Sequence, residues 1–309
     1  MSSGLLTSSQ LEVAQYSFWG SKAIEESTVD VRHDIDDAQA KRWNGFAGRA
    51  WVDAQEALDA MFEPLQEQLV EAVSTAASTR VLDVGCGTGS TTIAVARLLG
   101  PMGRPVGIDI SDPMIAAARA RAERERGAAD FICADAQVHV FEPASFDLII
   151  SRFGVMFFGD AVQAFTNLRR AATGDAGLRL IAWRSASENP FMTTAERAAR
   201  PLLPDLPVRK AGAPGQFAFS NARRVHSILE RSSWTDIDIR PIDVVCTLAE
   251  KELTRYLARL GPVGLHLERA DERMRARVVE TVRTAFDEYV TGTRVRFTAA
   301  CWMITARAG

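Results

Sequence analysis

Between residues 80 and 183 the chain alternates short apolar runs with longer stretches whose apolar positions recur at helical spacing. The runs Arg80–Val84, Pro105–Asp109, Asp130–Asp135, Phe146–Ser151 and Gly177–Trp183 are flanked by Gly, Pro, Asp or Ser, so they predict strands. The stretches between them predict helices. Ser90–Leu99 keeps helical spacing and stops at Gly100-Pro101. The next helix starts at Ser111 or Asp112, with Pro113 in the first turn, where a missing N–H costs nothing, and ends at Gly127. Asp160 caps a helix that runs through Ala171, with Gly174 beyond its end. Residues 1–75 read as helical and carry no clear strand. Residues 184–309 mix two strand candidates with helical segments at Thr254–Leu267 and Asp271–Tyr289, after a proline-punctuated loop over 201–214.

Strands alternating with helices of this length predict βαβ units and a parallel sheet. Right-handed crossovers make it doubly wound, and such sheets bind ligands beyond the carboxyl ends of their strands. Asp83, Asp109, Asp135 and Ser151 stand at or near four strand ends, so the topology brings them to one rim.

The first strand runs into Asp83-Val84-Gly85-Cys86-Gly87-Thr88-Gly89. Glycines here allow tight turns and close approach of a ligand. The spacing is G-x-G-x-G rather than the G-x-G-x-x-G of dinucleotide sites, with Ser90 where the third fingerprint glycine belongs. Charge is a second test. A pyrophosphate beside Asp83 would be repelled by about 1–4 kcal/mol at ~4 Å, whereas an ammonium or sulfonium would be attracted. Asp109, at the end of the second strand, suits the hydroxyls of a ribose. These features fit S-adenosylmethionine.

VLDVGCGTG (81–89), GIDIS (107–111), ADAQ (134–137) and FDLIISRFGVMFF (146–158), in this order, resemble the class I S-adenosylmethionine-dependent methyltransferases, and within them the ubiquinone- and menaquinone-biosynthesis-like small-molecule group. The resemblance covers residues 40–183 well and continues more loosely through 214–234 and 299–307. It implies a Rossmann-like, doubly wound, seven-stranded sheet with an antiparallel last strand, placed at Val295–Thr305. It also implies three regions: an N-terminal helical lid (1–75), a donor-binding core (76–185) and an acceptor-pocket insertion that completes the sheet (186–309). Asp83, Gly85 and Gly87 would shape the methionine end of the pocket. Asp109 would hold the ribose hydroxyls, with Ile110 and Met114 packing on ribose and adenine. Asp135 would accept from the adenine amino group, with Ala136 beside it. Ser151 and Arg152 would lie near the methionine tail. Each has a structural alternative: Asp83, Asp109 and Asp135 as turn or cap formers, Met114 as core, Arg152 as a strand-end cation.

Methyl transfer from a sulfonium chiefly requires alignment and exclusion of water. A cover rich in aromatics is therefore expected rather than a catalytic triad. Tyr16, Phe18, Trp19, Trp43, Phe46 and Trp51 precede the core. An aromatic face near a sulfonium contributes ~0.5–2 kcal/mol, so Trp43 and Trp51 either close over the donor or anchor the lid, with Gly45 and Gly48 permitting a bend or a close approach. Trp183, Arg184, Asn189-Pro190-Phe191, Phe217 and Phe219 predict an acceptor pocket for an apolar or aromatic molecule. His266, between two leucines, is the candidate base if one is needed; a packed or surface histidine is the alternative.

Composition narrows the partners. The chain has 309 residues, of which 47% are hydrophobic and 24% charged, which is enough for a buried core. Lys plus Arg total 36 against 39 Asp plus Glu, which excludes a general nucleic-acid or anionic-membrane binder. No apolar run approaches the ~20 residues of a membrane span, and residues 1–15 lack the basic start of a secretory leader, so a cytoplasmic location is expected. Cys86, Cys133, Cys246 and Cys301 are scattered, without metal-ligand spacing, and read as small buried residues. His33, in His-Asp-Ile-Asp-Asp, reads as a solvated helix entry rather than a metal site. The apolar terminal additions leave a homodimer open. The expected activity is methyl transfer to a small molecule. A nicotinamide-dependent oxidoreductase and a non-catalytic S-adenosylmethionine-binding protein are the alternatives.

Overall fold

A computed structural model describes residues 37–76, 78–210 and 212–309. The chain divides into two compact units, Met1–Gln39 and Ala40–Gly309. The expectations for Tyr16, Phe18, Trp19 and His33 lie outside the described residues.

The second unit is built on one sheet. Strands β1 (Val81–Val84), β2 (Val106–Asp109), β3 (Asp130–Cys133), β4 (Phe146–Arg152) and β5 (Ala172–Trp183) pair in parallel. β6 (Trp234–Ala249) and β8 (Arg294–Ala308) complete the order β3-β2-β1-β4-β5-β8-β6, and β8 runs antiparallel to both of its neighbours. The antiparallel last strand covers the expected Val295–Thr305 and extends it by a residue before and three after, and it lies between β5 and β6. An eighth strand, the two-residue β7 (Val290–Thr291), is added through a turn at Gly292 that pairs it with β8.

β1 and β4 are buried on both faces, as the unbroken apolar runs require. β5 begins directly after helix α6 (Ala161–Ala171), five residues earlier than its apolar run, because Ala172 pairs with Phe146 before a register shift. The edge strand β6 tolerates Pro241, since an edge position need not donate on its free side. Indole Nε1 of Trp234 donates to Phe165 O at 3.1 Å and ties the start of β6 to α6.

On the N-terminal side, residues 40–44 (α1), α2 (Phe46–Asp53) and α3 (Gln55–Ala76) are helical. The buried positions of α3, Leu58, Met61, Phe62, Leu65, Leu69 and Val73, form one stripe laid on the sheet. α4 (Ser90–Leu99) and α5 (Asp112–Glu125) match their predicted spans closely. Asp160 caps α6 by accepting from Gln163 N–H at 3.0 Å. After β5 come α7 (Pro190–Ala199), an irregular stretch, and α8 (Ala222–Arg231). The helix expected over 254–267 is two helices, α9 (Glu250–Arg259) and α10 (Gly261–Leu267): Gly261, at φ 69°, leaves the helical region, and Pro262 restarts the next helix. The segment expected over 271–289 is α11 (Glu272–Thr284), capped by Asp271, followed by a single 3-10 turn. Among the described residues no helix is long and apolar enough to cross a membrane.

Candidate active site

The loop after β1 turns back on itself because three glycines adopt left-handed backbone, Gly85 at φ 67°, Gly87 at 55° and Gly89 at 82°. Gly85 N–H and Cys86 N–H both donate to Ile108 O, at 2.8 and 3.1 Å, which locks the loop to the end of β2. A Cβ on Gly85 would stand 2.4 Å from Gly154 Cα, so the loops after β1 and β4 touch backbone to backbone. Ser151 secures that contact. Its hydroxyl donates to Val84 O at 2.7 Å and accepts from Gly154 N–H and Val155 N–H at 3.2 and 3.3 Å.

The acids lie where the strands end. Asp109 Oδ2 accepts from Gly87 N–H and Oδ1 from Ser111 N–H, each at 2.9 Å. Burial raises its carboxyl above the usual carboxylate range, and the backbone donors partly offset that. Asp83 is 2% exposed and accepts from Thr92 Oγ1 at 2.7 Å. Burial pushes its carboxyl up to about 6, against the pull of the Thr92 hydrogen bond and the Arg152 charge. Arg152 donates through Nη1 to Phe62 O at 3.1 Å and through Nη2 to Ser90 Oγ at 2.8 Å.

A cleft with about 510 Å³ of empty space, open solvent included, lies over these groups. Asp83, Gly85, Gly87, Arg152 and Trp51 line it, so five of the expected residues share one wall. Asp109 and Met114 stand directly behind the loop: Asp109 bonds Gly87, and the Met114 sulfur is 3.8 Å from where a Gly87 Cβ would be. Ile110, Asp135, Ala136 and Ser151 do not line the cleft. Asp135 Oδ1 accepts from Gln137 N–H at 2.8 Å, and the Ala136 carbonyl accepts from Asn167 at 3.0 Å. His266 sits half-buried on α10, away from the cleft lining.

Trp43 and Trp51 divide the roles considered for them. Trp51 faces the cleft. Trp43 packs edge-on against Trp51 (centroids 6.3 Å) and Phe157 (5.1 Å), and its carbonyl accepts from Ser111 Oγ at 2.7 Å. The adjacent Asn44 clasps the same turn, donating to Ile110 O at 3.1 Å and accepting from Asp112 N–H at 2.8 Å. Gly48 permits the close approach: a Cβ there would stand 2.7 Å from Ser111 Oγ. The bend falls at Gly45, between α1 and α2.

Several residues at the cleft were not singled out from sequence. Phe153 holds φ 68°, a costly backbone for an aromatic residue, and stacks on Trp183 at 4.5 Å and 8°. Phe62 closes this group edge-on to both rings, at 5.5 and 6.1 Å. Asp59 also lines the cleft and pairs with Arg121 of α5. The signal for Phe153 is its place between a strand end and Gly154; Asp59 and Phe62 carry no local signal beyond helical spacing. Phe191 and Phe219, expected at an acceptor pocket, are buried in the core, Phe191 stacked on Phe297 at 3.8 Å. Two of the four cysteines depart from the expected burial. Cys246 and Cys301 are buried, but Cys86 is half-buried at the cleft and Cys133 is exposed. Burial and the nearby carboxylates raise the Cys86 thiol well above its usual value, so it stays protonated. Among the described residues no cluster of His, Cys, Asp or Glu could hold a metal ion.

The strand order, the glycine loop against β2 and the acids at the strand ends define a Rossmann-like domain with a cleft over the glycine loop. Residues 81–174 match the family model described as a methyltransferase domain, in keeping with the resemblance of these residues to the class I, S-adenosylmethionine-dependent methyltransferases. The chain is 38% identical over 105 residues to aklanonic acid methyltransferase DauC of Streptomyces sp. (strain C5), covering 33% of this chain and 47% of that protein. It is 35% identical over 120 residues to nocamycin O-methyltransferase of Saccharothrix syringae, covering 38% and 43%. With demethylmenaquinone methyltransferase of Lactiplantibacillus plantarum the figures are 32% over 119 residues, 38% and 49%. The matches thus span just under half the length of these curated relatives. The fold is also that of the YcgJ protein of Bacillus subtilis (TM-score 0.51, 15% identity, 78% of this chain and 97% of that one). A structure concerned with conversion of a disulfide bond into a thioacetal group in echinomycin biosynthesis shares it too (TM-score 0.51, 19% identity, 77% and 80%).

Proposed function

We propose that the protein transfers a methyl group from S-adenosylmethionine to a small, apolar or aromatic metabolite by in-line displacement. The observation that carries this reading is the buried carboxylate of Asp83 beside Gly85 and Gly87 in the cleft wall. A diphosphate would add negative charge beside this carboxylate, while a cationic sulfur nucleoside is attracted to it. The matched domain and the relatives above are methyltransferases, and the oxidoreductase alternative draws no support from them.

Bound there, the donor supplies an electrophilic methyl group on a sulfonium. Asp109 then exchanges part of its hold on Gly87 for the ribose hydroxyls, with Ile110 and Met114 packing on ribose and adenine. Asp135 accepts from the adenine amino group, with Ala136 beside it. Ser151 acts indirectly, by fixing the junction of the loops after β1 and β4. Trp51 covers the cleft and excludes water, and Trp43 anchors that cover. The aromatic wall of Phe62 and Phe153, backed by the buried Trp183, favours an apolar or aromatic acceptor. Residues 1–75 serve as the lid, 76–185 as the donor-binding core and 186–309 as the acceptor side. Among the described cleft-lining residues there is no histidine, so His266 is left out of the chemistry. A net charge of −3 favours a small-molecule acceptor over nucleic acid.

Calorimetry with S-adenosylmethionine, S-adenosylhomocysteine and NAD tests the donor, and a labelled-methyl screen over a metabolite pool tests the transfer. Binding of NAD with no response to either sulfur nucleoside would overturn the reading.

A further inference from the structure

Arg42 is a cation without a counter-ion. It lies in α1, one residue before Trp43, and its guanidinium carbon stands 5.6 Å from the Trp43 ring centroid. Among the described residues it makes no hydrogen bond and no ion pair, so the N–H donors of its guanidinium are all free. The side chain is exposed, so a ligand can reach it. Arg209 repeats the arrangement. Its guanidinium lies 4.8 Å over Phe217, and both carboxylate oxygens of the buried Glu196, on α7, accept from it, Oε2 from Nε at 3.2 Å. One short turn ties the two arginines together. Trp43 packs on Phe157 of the 3-10 turn Val155–Phe157, and Gly215, two residues before Phe217, donates its N–H to Met156 O of the same turn at 2.9 Å. Partial withdrawal from water and then the Arg209 charge lower the Arg42 guanidinium below its usual value, against the pull of Glu196. Glu196 is occupied by Arg209, so these three groups together carry one surplus positive charge. Trp43, Phe157 and Phe217 are each half-buried and leave aromatic surface beside that charge. The turn follows β4, whose Arg152 and Phe153 line the donor cleft, and Trp43 touches Trp51, which lines it too.

We propose that Arg42 and Arg209 form an anion subsite on the acceptor side, which reads a carboxylate carried by an apolar or aromatic acceptor. A free guanidinium fork matches a carboxylate through two parallel N–H bonds, and Arg209 adds its charge from behind. One surplus charge beside aromatic faces suits a monoanion on an apolar skeleton. A phosphate ester would bring about two negative charges. The Trp43 indole touches both Arg42 and Trp51, so an anion held at Arg42 stands one ring away from the cleft wall. The carboxylate is therefore a handle that orients the acceptor, and the methyl group goes to another atom. The inference rests on the proposed methyl transfer and narrows its acceptor to organic acids.

Calorimetry on the full chain with S-adenosylhomocysteine present tests this. The probes are benzoate, 1-naphthoate and anthraquinone-2-carboxylate, each against its primary amide, with 1-naphthyl phosphate as a further anion. The best-fitting acid is expected to bind about tenfold or more tightly than its amide. Arg42→Gln should remove that preference while holding the amide and S-adenosylhomocysteine within about twofold of wild type, which also shows that the variant is folded. Arg209→Gln should weaken the same acid about threefold or more, and its melting temperature reports whether the loop before Phe217 stays attached. Equal affinity for acid and amide in all three pairs overturns the proposal, as does failure of every acid to bind at millimolar concentration. A preference that survives in Arg42→Gln, or an unchanged acid affinity in a folded Arg209→Gln, overturns the assignment to these arginines. Tighter binding of 1-naphthyl phosphate than of 1-naphthoate overturns the carboxylate. A wild type that binds S-adenosylhomocysteine but shows no acid preference sinks this inference alone; one that does not bind the nucleoside sinks the proposed methyl transfer with it.

Discussion

Asp109 Oδ2 accepts the N–H of Gly87 at 2.9 Å, so the carboxylate at the end of β2 holds the glycine loop that follows β1. The same side chain accepts from Ser111 N–H through its other oxygen, and Ser111 in turn bonds the carbonyl of Trp43. The glycine loop, the end of β2 and the turn that Trp43 bonds are therefore joined through one acid. Asp109→Asn presents an amide nitrogen to one of two backbone donors. It should cost about 1–3 kcal/mol of stability and lower affinity for S-adenosylhomocysteine about tenfold or more. Thermal melts and calorimetry on the same preparation check both effects.

Gly85 and Gly100 form a matched pair for separating backbone strain from close approach. Both have φ above +60°, but a Cβ on Gly85 would stand 2.4 Å from Gly154 Cα, while one on Gly100 would meet nothing within 4 Å. Gly100→Ala should cost only its backbone conformation, φ 61° and ψ −152°, a region almost confined to glycine, about 1–3 kcal/mol. Gly85→Ala adds a backbone collision and should unfold the loop or abolish nucleoside binding. Equal stability losses in the two variants would contradict the close contact.

The Asp83 carboxyl, raised to about 6 by burial, binds a proton more readily folded than unfolded. By linkage, stability without ligand should fall as pH rises from about 4 to 6, by an amount on the order of 3 kcal/mol for this group. Its stabilising contribution is complete below the unfolded value and lost above the folded one. A cationic donor favours the ionised form, so donor affinity should rise over pH 5–7 and level off above. Asp83→Asn should flatten both profiles. Melting temperature and calorimetric affinity against pH provide the measurement, and an unchanged slope in the variant would reject the assignment.

Asn189, 1% exposed, accepts from Ala300 N–H and donates to Ala300 O, each at 2.9 Å, and donates to Ser185 O at 3.1 Å. Just past the end of β5 its side chain stands in for a strand beside β8. Asn189→Ala takes the acceptor from Ala300 N–H, while Ala300 O keeps the Arg184 N–H at 3.0 Å, and should cost about 1–3 kcal/mol, seen as a lower melting temperature with donor affinity unchanged. A melting temperature equal to wild type would show that the bonds contribute nothing.

Much of the central sheet was legible in the chain because its signals are local. β1 to β5 are apolar runs with punctuated ends, and α4 and α5 start and stop at residues that cap or break helices. The strand-end acids were legible for the same reason: a parallel sheet brings strand ends to one rim whatever surrounds them. Inside that rim the sorting was not legible. Asp83 and Arg152 line the cleft, whereas the Ser151 hydroxyl is directed to Val84 O and the backbone after β4. Alternation in a strand does not tell which side chain the loop after it will use.

The sequence by itself determined the parallel core, the glycine turn and the place of Asp83 before it, because each depends on neighbours in the chain or on the repeat of the sheet. Only the tertiary structure decided that α3 would bring Asp59 and Phe62 to the cleft, that Asn44 would clasp the turn after β2, and that β8 would lie between β5 and β6. Those are contacts between residues far apart in the chain, such as Asn44 and Ile110 or Asn189 and Ala300. They are selected by which apolar faces bury each other, a choice that no local pattern of residues contains.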